Sequence, residues 1–289
     1  MKVGFVNIFG KPNAGKSTLL NALMGEKLAI VSSKVQTTRH RIKGILTEKE
    51  YQIVFSDTPG IMEPKYKLHE KMLQAVHRSL EDADIALLIV DVNENWQECD
   101  TTFRALKLKK PAIVIVNKID AASESKNKEA VDFFEAQPYC KKVVKISARS
   151  GINKKKFIST LLEFLPEGEP FFINDDLSDL PTKFFAGELI REKIYEFLQD
   201  EIPYQTTVLV TEYSEKATLV KISADIIVQR ESQKAILIGD KGSMIKILGT
   251  ESRKTIEAFL QQKIFLELFV KVRPKWRDNE QFLKEYGYY

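Results

Sequence analysis

The chain predicts an α/β fold with a mainly parallel sheet, followed by a smaller α+β unit, and three observations lead there. Five short β-rich apolar runs between Val3 and about Leu165 alternate with helix-length amphipathic stretches. A proline-punctuated acidic stretch, "LPEGEPFFINDDLSDLP", follows and fits neither period. Beyond it the pattern becomes that of a compact helix-and-strand unit. With 289 residues, of which 44% are apolar and 29% charged, the chain has a globular composition and the length of two ordinary domains. The expected divisions are 1–168, a linker at 169–181, and 182–289 with a C-terminal tail.

Taken in order, "VGFVNIF" is the first strand, and "GKPNAGKS" leads from it into the helix "KSTLLNALMG". A G-x-x-x-x-G-K-S turn between a strand and a helix is the context of a phosphate-binding loop. Gly10 and Gly15 let the backbone curl so that successive N–H groups point at phosphate oxygens, helped by the helix N-terminus. The nucleotide-binding set here is Gly10, Asn13, Ala14, Gly15, Lys16, Ser17 and Thr18. Lys16 would neutralise the β and γ phosphates, and the Ser17 hydroxyl would bind Mg2+.

The polar segment "SSKVQTTRHRI" is of the kind that orders around a γ-phosphate. Thr38 is the candidate for a second magnesium ligand and for a catalytic role, with Thr37 as the alternative. The strand "YQIVFS" then ends in "DTPG", where Asp57 can hold the magnesium through water and the Gly60 N–H can sense the γ-phosphate. Many small GTPases carry a water-orienting Gln just beyond, but here the position is Ile61, so unaided hydrolysis should be slow. Asn13 either holds a monovalent cation such as K+ against the phosphates or simply stabilises its loop.

Two further strands, "IALLIVDV" and "AIVIVN", come next, the second ending in "NKID" with Asn117, Lys118 and Asp120. A carboxylate at Asp120 can accept from both N1–H and the amino group of guanine, whereas adenine offers no amine there. After "VVKIS", the triplet "SAR" offers Ser147 and the Ala148 N–H, the latter to guanine O6. Each element ends a strand, where open α/β sheets bind ligands, and the four in this order imply a GTP site.

In the second unit, "KFFAGELIREKIYEFLQDEI" has helical spacing, and "TTVLVTEYS" and "ATLVKISADIIVQR" read as strands. "KAILI" reads as a strand before the glycine-bracketed loop "GDKGSMIK", "SMIKIL…IEAFLQQKI" as a helix, and "FLELFVKVRP" as a closing strand. Cys99 and Cys140 belong to no metal-binding spacing and read as packing residues in a reducing compartment. The longest apolar run is far below spanning length and no lipidation motif occurs, which speaks against a membrane-linked signalling GTPase. A net charge of +4 limits attraction for polyanions to local patches. From Phe171 to Tyr289 there are 17 Lys/Arg against 19 Asp/Glu, yet Arg230, Lys234, Lys241, Lys246, Arg253 and Lys254 crowd around the second glycine loop.

"GKPNAGKS", "QTTRHRI", "DTPGI", "NKID" and "SAR", with "ILIGDKGSMIKILG" and the ending "VKVRPKWRDNEQFLKEYGY", resemble the Era family of bacterial GTPases over essentially the whole chain. The resemblance implies a Ras-like P-loop GTPase domain followed by a KH (type II) domain, potassium-stimulated hydrolysis of GTP to GDP and phosphate, and a role in ribosome assembly. It further implies binding to the 3′ end of 16S rRNA and to the small (30S) ribosomal subunit. A monomer in the cytoplasm is expected, with peripheral contact to the inner membrane left open. On this reading Gly239 and Gly242 let an RNA backbone approach, Lys241, Lys246 and Arg253 meet its phosphates, and bases lie between the following helix and a strand edge. Trp276 either stacks on a base or covers a small core. The rival is an RNA-binding scaffold whose nucleotide site is structural.

Overall fold

The computed structural model describes residues 1–173, 176–216 and 218–289; two residues of the expected linker, 174 and 175, and the first residue of the run "ATLVKISADIIVQR" lie outside the described residues. The chain forms two compact units, Met1–Glu63 with Met72–Asp179, and Pro64–Lys71 with Leu180–Tyr289.

The first unit is built on a six-stranded sheet in the order β2-β3-β1-β4-β5-β6. Its strands are β1 (Lys2–Phe9), β2 (Ile42–Thr47), β3 (Tyr51–Asp57), β4 (Ile85–Asp91), β5 (Ala112–Asn117) and β6 (Cys140–Lys145). The helices are α1 (Lys16–Met24), α2 (Lys67–Asp82), α3 (Trp96–Ala105), α4 (Glu124–Glu135) and α5 (Lys154–Phe164). β1, β3, β4, β5 and β6 run parallel, and β2 alone pairs antiparallel, with β3. The continuous apolar runs of β4 and β5 are buried throughout from Ile85 to Val90 and from Ala112 to Val116, as expected of strands covered on both faces.

β2 is absent from the sequence pattern because its six residues, "IKGILT", lie directly after a polar loop and carry a lysine and a glycine. Its outer edge is covered by part of the stretch read as a linker. Ile45 N–H donates to Leu177 O at 2.9 Å, and Lys43 Nζ pairs with Asp179 at 2.7 Å. The fully buried Gln52 side chain accepts from the N–H groups of Phe171 and Phe172 at 2.7 and 3.0 Å and donates to Phe172 O at 2.8 Å. An unpaired strand edge is thereby blunted.

The second unit has a three-stranded sheet, β7 (Thr207–Glu215), β8 (Val220–Val228) and β9 (Ile264–Val272), with β8 in the middle, antiparallel to β7 and parallel to β9. Its helices are α6 (Thr182–Phe197), α7 (Ile202–Gln205), α8 (Glu231–Ile238), α9 (Ser243–Leu260) and α10 (Glu280–Glu285). Ile222, Ala224, Ile226 and Val228 alternate along β8 into a core shared with Leu189 and Ile194 of α6 and Leu248 and Ile256 of α9.

One expectation is overturned here: "KAILI" belongs to α8, a helix, so the glycine loop joins two helices. A short apolar run does not reveal its period, and capping decides it. The buried Gln233 side chain accepts from the N–H groups of Gln229 and Arg230 at 2.9 and 3.1 Å, tying off the helix start. Of the apolar run, Leu237 is buried whereas Ile236 is exposed, a one-sided burial. Trp276 is fully buried, with Nε1–H donating to Gln205 O at 3.0 Å and its ring stacked with Tyr288, so it covers the core. Cys99 is buried and Cys140 half-buried, and both are free thiols. Among the described residues no helix is long and apolar enough to cross a membrane.

Candidate functional site

Parallel strands bring their C-terminal ends to one edge of the sheet. The register sets Ile8 beside Asp57, and Asp91 beside Asn117, so segments far apart in sequence meet there. A cleft of about 460 Å3 opens at this edge, lined among others by Asn13, Gly15, Lys16, Ser17, Thr18, Thr38, Gly60 and Lys118. Arg149, Pro12, Ile30, Val31, Ser32 and Ser33 also line it. Of these, Ile30 and Val31 lie outside the quoted motifs, whereas Pro12, Ser32, Ser33 and Arg149 sit within "GKPNAGKS", "SSKVQTTRHRI" and "SAR" without an individual role.

Three oxygen side chains converge on its floor. Ser17 Oγ lies 2.8 Å from Thr38 Oγ1 and donates to Asp57 Oδ2 at 2.6 Å, and Thr38 Oγ1 donates to the same oxygen at 3.1 Å. The Thr37 hydroxyl instead donates to Lys34 O at 2.6 Å. The structure therefore brings Thr38, and not Thr37, to Ser17 and Asp57. All three are hard oxygen donors, and the buried Oδ1 of Asp57 has no partner among the described residues. They fit a Mg2+ ion, the metal that a phosphate loop of this type implies.

Lys16 is buried, and its ammonium curls back to donate to the carbonyls of Gly10 and Lys11 at 3.2 and 2.9 Å. Burial lowers its pKa, opposed by the charge of Asp57, and burial raises that of Asp57, opposed by Lys16 and by the Ser17 and Thr38 hydroxyls. Desolvation thus works against the charged form of both groups, and charged phosphates and a cation are the partners that would restore it. Gly15 has φ 104°, and a Cβ there would lie 2.2 Å from Asn117 Nδ2, so both conformation and space demand glycine.

Asn117 ties the edge together. Its Nδ2 donates to Ala14 O at 2.8 Å, and its Oδ1 accepts from Ala148 N–H at 3.0 Å. The Ala148 N–H, expected to meet guanine O6, is therefore engaged by Asn117 in this structure. Ser147 is buried, and its Oγ accepts from Ser150 N–H, shaping the same loop. Lys118 adopts φ 62° and its Nζ pairs with Asp91 at 2.7 Å. Asp120 stands exposed on the turn Ile119–Ala121. Asn13, with φ 65°, donates through Nδ2 to Ser33 O at 2.7 Å. Ile61 packs into the apolar cluster around β4 and β5, and its N–H donates to Gly10 O at 3.3 Å.

In the second unit a cleft of about 370 Å3 lies between α9 and β9, lined by Lys246, Gly249, Arg253, Phe265 and Leu268 among others. Gly239, Lys241 and Gly242 form the turn that enters α9, with positive φ at all three. The structure thus gathers the five residues assigned to RNA on one helix, its entry turn and the adjoining groove.

A family model described as "50S ribosome-binding GTPase" matches residues 5–118, and a KH domain model matches residues 201–277. The curated relatives include a GTPase Era of Caldanaerobacter subterraneus subsp. tengcongensis, 41% identical over 99% of this chain and 98% of its own. Another, from Geobacter sp. strain M21, is 43% identical over 99% of this chain and 97% of its own. The chain belongs to the Era family of GTPases. A crystal structure of an Aquifex aeolicus Era variant bound to GDP and AlF4− matches 100% of this chain and 99% of its own, with TM-score 0.95 and 39% identity. An Era complex with MgGDPNP and nucleotides 1506–1542 of 16S ribosomal RNA matches over the same shares, with TM-score 0.95 and 40% identity. As an Era-family member the chain is a GTPase with a Ras-like domain followed by a KH domain. What sequence reading missed in this Era-type site was the bracket role of Asn117, whose partners lie 103 and 31 residues away and leave no local signal.

Proposed function

We propose that this GTPase binds GTP with Mg2+ at the edge cleft and, in the GTP state, holds the 3′ end of 16S rRNA of the small ribosomal subunit in the α9–β9 cleft, acting in the cytoplasm. The convergence of Ser17, Thr38 and Asp57 carries the reading, since Thr38 belongs to the loop that a γ-phosphate would order. The similar Era complex with MgGDPNP and 16S RNA supports both ligands. A Mg2+ ion held by these residues would offset charge on the phosphate oxygens. Lys16 then turns from the Gly10 and Lys11 carbonyls to the β and γ phosphates, Gly60 N–H faces the γ-phosphate, and water attacks phosphorus without a covalent protein intermediate. Asn117, Lys118 and Asp120 hold the base. Binding of a 16S 3′-end oligonucleotide is expected to be at least about fivefold tighter with a non-hydrolysable GTP analogue than with GDP. Equal affinity in the two states would leave an RNA-binding scaffold with a structural nucleotide.

Ile61 cannot orient water, and its partly buried side chain packs against the apolar cluster around β4 and β5. Compensating charge would come from a monovalent cation held by the exposed Asn13, whose Nδ2 donates to Ser33 O and whose Oδ1 is the acceptor left to face such an ion. Single-turnover hydrolysis should then run several-fold faster in KCl than in NaCl at equal ionic strength, because screening is equal and only ion size differs. Asn13→Ala should abolish the difference. Identical wild-type rates in the two salts would assign Asn13 to loop stabilisation alone.

A further inference from the structure

The end of the first sheet opposite the nucleotide carries a feature that neither GTP nor the α9–β9 cleft accounts for. Lys107, Lys109 and Lys110 lie in the connection from α3 to β5, and Lys141 and Lys142 lie at the start of β6. All five are exposed, and none forms an ion pair among the described residues. β5 and β6 are neighbours, with Ala112 opposite Cys140 and Ile113 opposite Lys142, so the two lysine segments adjoin at one corner of the sheet. β5 alone separates them from Asn117 by about 20 Å.

A side-chain network braces the corner. Arg104 Nε pairs with Asp100 at 2.8 Å, its Nη2 donates to Gln137 Oε1 at 2.6 Å, and its guanidinium lies over the Tyr139 ring. Tyr139 OH donates to the other Asp100 oxygen at 3.0 Å. This network fixes the segment before Lys107 against the segment before Lys141, and Asp100 is occupied with Arg104, so it does not neutralise the lysines. The same end of the sheet on the other side, at β2, β3 and β1, is mixed in charge, with exposed Glu48, Lys49 and Glu50 and with Glu167 paired to Lys2 at 3.8 Å.

We propose that this corner is a second RNA-contacting surface, which grips the phosphate backbone of double-helical RNA while the α9–β9 cleft holds a single strand. Lysine ammoniums act as point charges toward phosphate without reading base edges. Single-stranded RNA would call for exposed aromatic side chains on which bases stack, and a lipid surface for exposed apolar side chains that insert. The exposed large apolar residues of the described chain include none between Val35 and Ile152, so the corner offers neither. The identity of the partner rests on the RNA reading above, and the two are tested separately.

The test compares the full-length wild-type chain with a variant carrying Lys107, Lys109, Lys110, Lys141 and Lys142→Gln, and with the corresponding all-Arg variant. The probes are a mixed-sequence RNA duplex, a 16S 3′-end single strand, purified small subunits, and phosphatidylglycerol-containing vesicles. In the Gln variant, duplex and subunit affinity should fall at least about tenfold at 0.1 M salt, and the logarithmic salt slope for the duplex should drop by about 4, close to one for each of the five lost phosphate contacts. GTP turnover and single-strand affinity should stay unchanged, and the Arg variant should bind the duplex as wild type does. Should the Gln variant fail to fold, Lys109, Lys110 and Lys142→Gln alone should retain at least half the loss in slope. Duplex binding that is absent in the wild type or unaltered in the variant overturns the proposal, as does loss confined to vesicles, which would make the corner a membrane contact. Loss of single-strand binding by the wild type itself would instead count against the α9–β9 reading.

Discussion

Asp120→Asn is expected to move nucleotide preference from GTP to XTP, with GTP affinity falling at least about a hundredfold, roughly 2.7 kcal/mol. The carboxylate can accept from both N1–H and the exocyclic amine of guanine, and an amide can accept only through its oxygen while its nitrogen faces the amine donor to donor. Xanthine carries a carbonyl where guanine carries the amine, so the same amide nitrogen finds an acceptor. Asp120 is exposed on a short turn, so the substitution should leave melting unchanged. Titration with fluorescent GTP and XTP analogues reads the result directly. Unaltered GTP affinity in the variant would remove Asp120 from the site and leave base choice to Asn117 and the Ala148 loop.

Gly242→Asp should lower affinity for a 16S 3′-end oligonucleotide at least about tenfold, roughly 1.4 kcal/mol, while GTP affinity and RNA-free hydrolysis stay near wild type. The structure separates the two glycines of this turn. A Cβ on Gly239 would lie 2.7 Å from Met244 N and 2.8 Å from the Met244 and Ser243 side chains, so changing it disrupts the start of α9 itself. A Cβ on Gly242 would meet only Ile245 Cγ2 at 3.9 Å, leaving a strain of about 1 kcal/mol from its φ of 80°. Asp tolerates that conformation better than most residues and adds a negative charge where phosphate would approach. Gly242→Asn imposes the same backbone strain without the charge and should lose clearly less RNA affinity. Equal RNA binding by wild type and the Asp variant, with melting unchanged, would make the turn a helix connection only.

The parts of this protein that could be read in advance are those whose physics is local. A strand that is buried on both faces shows itself as an unbroken run such as "IALLIV". α8 was misread because four consecutive apolar residues carry no period, and the Gln233 side chain that ties off its start interacts with residues outside the run. β2 was missed because an edge strand beside a polar loop has little apolar alternation, and its partners, β3 on one side and residues 177–179 on the other, come from elsewhere in the chain.

By itself the sequence determined the phosphate loop, "DTPG" and "NKID" as strand-terminal loops, because spacing of a few residues sets which backbone groups and side chains can face one ligand. It also supplied the α/β-then-α+β order and the glycines of the second loop. Tertiary structure alone decided that Thr38, and not Thr37, stands beside Ser17 and Asp57, since adjacent residues of an irregular loop point in unrelated directions until the loop is packed. It likewise decided that Asn117 joins Ala14 to Ala148, that Trp276 is core, and that five lysines from two separate segments share one corner. Each of these depends on contacts between residues distant in the chain, and strand register and helix packing set such distances while local propensity does not.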